Sequence, residues 1–98
     1  MRKNKMTETS TMDELYHVVL SIDSQTTLRA FLEDLLTPTE RQAISDRWQA
    51  AQRLNQGMTQ REVAQELGLS VATVTRVARS LANQHGGYNA LLKKNMTQ

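Results

Sequence analysis

A glycine set between two complete helix-start signals constrains this chain more than any other feature. Thr59-x-x-Glu62 has the form of a capping box, in which the Thr hydroxyl and the Glu carboxylate each accept one of the helix's orphan amides. Met58, just before it, is placed to staple onto Val63. Four residues after Ala64 comes Gly68, which supplies the positive φ that a tight turn demands. Leu69 then plugs the turn and Ser70 caps a second helix. Val74, Val77, Ala78 and Leu81 recur at i, i+3, i+4 and i+7, and Val63 and Leu67 provide the facing stripe. Ala64 is small where the two helices must cross closely. Short helices meeting across a glycine turn in this way predict a helix-turn-helix.

The rest of the chain carries the same helical grammar. Thr11-x-x-Glu14 reads as a capping box ahead of Leu15, Val18, Val19 and Ile22. Asp23-Ser24 breaks that helix and caps a second, with Leu28, Phe31, Leu32 and Leu35 on one face. Thr37 as N-cap, Pro38 at the first helical position and Glu40 two residues on start a third. It directs Ile44, Trp48, Ala51 and Leu54 inward, and runs to Gln56 with Gly57 as its stop. Gly86-Gly87 leads into a short last helix around Tyr88–Lys93. No alternating strand pattern occurs, so the predicted class is all-α. The expected organisation is a mobile basic arm over residues 1–10 and one domain over 11–98. Within that domain, 11–57 form the dimerisation helices, 58–83 the helix-turn-helix and 84–98 a C-terminal helix and tail.

Composition narrows the function. Leu, Ile, Val and Phe total 21 of 98 residues and only four residues are aromatic, a sparse core that a partner subunit would complete. There is no cysteine, which excludes a thiolate metal site and suits a reducing cytoplasm. No apolar run reaches membrane-spanning length, and the opening MRKNKMTETSTMDEL lacks the apolar stretch of a secretory signal. His17 and His85 stand 68 positions apart without a ligand cluster, and Glu33-Asp34 point to different sides of a helix. No activated nucleophile or phosphate-cradling loop appears, so neither a catalytic nor a metal site is expected. The formal charge of +2 conceals an asymmetry. Arg2, Lys3 and Lys5 give +3, residues 6–66 give −5, and Arg76, Arg79, Lys93 and Lys94 give +4 over an acid-free 67–98. Basic ends on an acidic body point to an anionic partner, nucleic acid before membrane.

The outer face of the second motif helix carries Val71, Ala72, Thr73, Thr75, Arg76 and Arg79, with no carboxylate to repel phosphate. A recognition helix lays its N-terminal residues in the major groove of duplex DNA. Val71 and Ala72 suit a thymine methyl, Thr73 and Thr75 suit base edges or phosphates, and Arg61 suits a bidentate fork onto guanine. Ser70 and the free amides of its helix start suit a phosphate. With Gln60 at the head of the first motif helix, these residues form the candidate DNA-binding set.

Leu36-Thr-Pro-Thr-Glu-Arg41, Met58-Thr-Gln-Arg-Glu62, Val71-Ala-Thr-Val-Thr-Arg76 and Ser80-Leu81 together resemble the Trp operon repressor family, and within it most the YerC/YecD group. The resemblance covers roughly residues 30–94. It implies a six-helix fold with a helix-turn-helix, assembled as an intertwined homodimer whose two reading heads face successive major grooves. It further implies a roughly palindromic operator with half-sites one helical turn, ~34 Å, apart. The implied function is a sequence-specific transcription regulator, a repressor that acts by occupying promoter DNA. The family's amino-acid pocket maps onto Thr37, Arg47, Arg76 and Ser80. After the second arginine, however, tryptophan-binding members have glycine, and this chain has Val77, whose side chain fills the indole slot. No cofactor is expected beyond an amino acid or other small carboxylate effector. Two alternatives use the same residues: an amino-acid-gated repressor relying on Arg47, Arg76 and Ser80, and a helical module that binds protein instead of DNA.

Overall fold

Six α-helices follow one another, with no strand among the described residues, in a computed structural model that describes residues 8–96. α1 spans Glu8–Leu20, α2 Gln25–Leu35, α3 Pro38–Asn55, α4 Gln60–Leu67, α5 Val71–Leu81 and α6 Gly87–Met96. They fall into two compact units that divide between Pro38 and Thr39. Arg2, Lys3 and Lys5, the charged residues of the expected arm, lie outside the described residues.

In the first unit, α1 begins at Glu8 and not at Thr11, so Thr11 sits inside the helix instead of capping it and residues 8–10 are helical. Nothing in Glu-Thr-Ser is a breaker, and extending a helix costs far less than starting one. The break before α2 follows the expected logic. Ser24 is extended (φ −144°, ψ 151°) and its Oγ accepts from the Thr27 amide at 3.1 Å. The apolar stripes form as spaced, yet they are not closed within the chain. Leu15, Ile22, Phe31 and Leu32 are half-buried, whereas Tyr16, Val18, Val19, Leu28 and Leu35 are exposed and Leu20 is 83% exposed.

The second unit holds the core. Ala50 and Ala51 of α3, Val63 and Ala64 of α4, Val74 and Val77 of α5 and Leu92 of α6 are buried together. Trp48, Leu54, Met58, Leu67, Leu69, Leu81 and Tyr88 pack around them, partly buried. The largest fully buried side chains are valines, and α5 comes closest to α4 and α6. α3 starts at Pro38 as expected and ends at Asn55, with Gly57 at φ +102° just beyond it. Ile44 departs from its expected inward place and is 40% exposed. It lies nearly two turns before Ala50 and Ala51, ahead of the point where α4 to α6 cover the helix.

Two polar contacts brace this unit. Arg53 Nε meets Glu66 Oε2 at 2.8 Å and its Nη1 donates to Gln49 Oε1 at 2.6 Å, tying α3 to α4. The Glu66 side chain is half exposed, so this pair directs more than it stabilises, at about 1 kcal/mol or less. At the other end, Asn89 Nδ2 donates at 2.9 Å to the Leu81 carbonyl, where α5 stops, and at 2.9 Å to the Asn83 carbonyl, which also accepts from the Gly86 amide.

Candidate nucleic-acid interface

The turn between α4 and α5 forms residue by residue as its sequence requires. The Glu62 amide donates to Thr59 Oγ1 at 3.1 Å and the Thr59 amide donates to Glu62 Oε1 at 2.9 Å, a reciprocal capping box. Gly68 ends α4 in the left-handed region (φ +68°, ψ 34°), and the Leu69 amide donates to the Ala64 carbonyl at 2.9 Å. No atom lies within 4 Å of where a Cβ on Gly68 would sit, so the demand for glycine comes from the backbone alone. Ser70 is extended and its Oγ accepts from the Thr73 amide at 3.0 Å. Val74 and Val77 turn into the core, which fixes the rotation of α5 and leaves the opposite face in solvent.

That face presents Val71, 54% exposed, together with exposed Ala72, Arg76 and Arg79. Arg61 is exposed on α4, and no side-chain hydrogen bond or ion pair among the described residues engages the guanidinium of Arg61, Arg76 or Arg79. The hydroxyl-bearing candidates differ, because they are already in use within the motif. Ser70 Oγ donates to Thr73 Oγ1 at 2.9 Å, and Thr75 Oγ1 donates to Gln60 Oε1 at 2.7 Å. The second bond joins two candidates from different helices, a link that no local pattern announces. α5 carries no acid along its whole length, so every formal charge it bears is positive.

Of the four effector candidates, Arg47, Arg76 and Ser80 lie in the second unit. Ser80 is exposed and lines a hollow of about 540 Å³ with Trp48, Asn83, Tyr88 and Leu91. Neither Arg47, half-buried on α3, nor Arg76 is part of that wall. Thr37 is exposed and belongs to the first unit. Val77 is 1% exposed inside the core cluster.

Comparison with known proteins agrees with this architecture. The chain is 31% identical over 83 residues to an uncharacterized protein, YerC, of Bacillus subtilis, covering 85% of this chain and 80% of YerC. It is 42% identical over 65 residues to a Trp operon repressor homolog of Actinobacillus succinogenes, covering 65% of this chain and 64% of that protein. Among solved structures, a TrpR-like protein from Eubacterium eligens superposes with a TM-score of 0.80 at 29% identity, over 92% of this chain and 93% of the other. The sequence model of the Trp repressor protein family matches residues 10–96. The family match and the structural superposition agree, and the chain belongs to the Trp repressor family.

Proposed function

We propose that this protein is a sequence-specific transcription regulator that binds double-stranded DNA as a homodimer and represses by occupying a promoter. The family is one of regulators and not of enzymes. The observation that carries the reading is the exposed, acid-free face of α5, where Val71 and Ala72 stand beside Arg76 and Arg79. Apolar tips suit thymine methyls and free guanidiniums suit guanine or phosphate, so one surface offers both base contacts and backbone contacts. Fluorescence anisotropy against duplexes selected from a random library tests it. Binding is expected to weaken steeply between about 50 and 200 mM salt, as counterion release requires. No binding at the lowest salt overturns it.

The dimer draws support from the first unit, where Tyr16, Val18, Val19, Leu20, Leu28 and Leu35 all remain exposed on two successive helices. Apolar side chains in such a run are a common mark of a subunit interface. Light scattering is expected to return a mass near twice 11.1 kDa. A monodisperse monomer at micromolar concentration refutes the assembly. Two half-sites one helical turn apart then follow from two-fold symmetry, giving a palindromic operator. Tryptophan is not expected as effector, since tryptophan-binding members have glycine where this chain has Val77, whose side chain is packed in the core.

A further inference from the structure

We infer that Thr75 is a positioning residue, whose hydroxyl holds the Gln60 amide by its oxygen so that its NH₂ serves as a clamp for a DNA phosphate. The inference rests on the DNA-binding reading above and goes beyond it by giving the two residues distinct roles. A glutamine amide ordinarily offers one acceptor oxygen and two N–H donors, and in solvent it turns freely to present either. Here Thr75 Oγ1 donates to Gln60 Oε1 at 2.7 Å. That bond engages the amide oxygen and, because the amide is planar, sets where the nitrogen points.

Gln60 is exposed at the first position of α4, whereas Thr75 is half-buried in the middle of α5. With one lone pair of the oxygen taken, the pair shows a ligand chiefly the Gln60 NH₂, with two donors. Such a group selects acceptors, and on duplex DNA the acceptor nearest the first helix of a helix-turn-helix is the sugar-phosphate backbone, which that helix crosses. Contacts of this kind set register and orientation without reading sequence. Thr75 thus moves from direct DNA contact to the support of a backbone contact, which leaves Val71, Ala72, Arg76 and Arg79 as the outward face of α5.

The test compares wild type, Thr75→Val, Thr75→Ser, Gln60→Ala and the Gln60→Ala/Thr75→Val double variant on a selected duplex and on random duplex. Thr75→Val keeps the shape of the side chain and removes its donor. It is expected to weaken both duplexes alike, by about 3–10-fold, the effect of losing one ordered hydrogen bond. Thr75→Ser is expected to restore the affinity, and far-UV circular dichroism to show the same helix content throughout. The double variant is expected to bind no worse than Gln60→Ala alone, because Thr75 acts only through Gln60. Replacing single phosphates with neutral methylphosphonates is expected to reveal one position per half-site that matters to wild type and not to Gln60→Ala. If Thr75→Val binds like wild type, shifts base preference, or adds its full loss to Gln60→Ala, the positioning role is wrong while the regulator reading stands. If wild type binds no duplex at all, the regulator reading itself has failed.

Discussion

Exchanging Arg61 and Arg76 together for glutamate is expected to abolish duplex binding at about 150 mM salt, a loss of more than about 10³-fold. Both guanidiniums are exposed, and neither is engaged by a hydrogen bond or ion pair among the described residues. Their removal therefore leaves no internal partner stranded, and the helix content and melting temperature should stay close to wild type. The effect on DNA comes from two directions. Each lost contact to guanine or phosphate is worth about 1–3 kcal/mol, and each new carboxylate repels the backbone it replaces a contact with. In a dimer every substitution counts twice. Single variants separate the roles. Arg61→Ala is expected to relax preference at one base pair of each half-site, whereas Arg76→Ala should weaken all duplexes and lower the salt slope by about 1 per site. A double variant that still binds like wild type would move the interface off this face.

The motif was legible because each of its parts is a local event. Thr59 and Glu62, Gly68, and Ser70 act within a turn of themselves, and the structure forms each one as its residue type requires. Periodicity likewise placed Val63, Val74 and Val77 in the core. What stayed out of reach were bonds between elements. Gln60 and Thr75 are 15 positions apart, Arg53 and Glu66 are 13, and Asn89 reaches back eight residues to Leu81. Nothing in residue type or spacing marks such pairs, because they depend on how the helices cross. The stripes of α1 and α2 were legible as stripes, but a period does not say what covers it. Val18 and Val19 belong to the stripe of α1 and Leu28 to that of α2, and all three are exposed in the chain. The same limit explains Ile44, whose spacing from Trp48 suits a buried face although the covering helices begin further along α3.

Val77→Gly is expected to cost about 3 kcal/mol of stability, enough to lower the melting temperature by about 10–20 °C. Removing the two γ-methyls of a fully buried valine accounts for about 2 kcal/mol through lost transfer energy and the cavity left behind. Glycine in the interior of a helix adds about 1 kcal/mol relative to alanine. Val77→Ala should therefore lose about two-thirds as much, and urea denaturation of the three proteins gives the ratio directly. The measurement bears on effector binding as well. A side chain that merely obstructed an open slot would cost little to remove, whereas Val77 is 1% exposed and packs with Ala50, Ala51, Val63, Val74 and Leu92. In the wild type, L-tryptophan is expected to produce no saturable heat and no shift in melting temperature. If valine at this position is also what bars an indole, tryptophan should raise the melting temperature of Val77→Gly alone, since a ligand stabilises only the state that binds it. A wild type that responds as strongly as the glycine variant would show that the ring finds its room elsewhere, and that Val77 serves the core and nothing more.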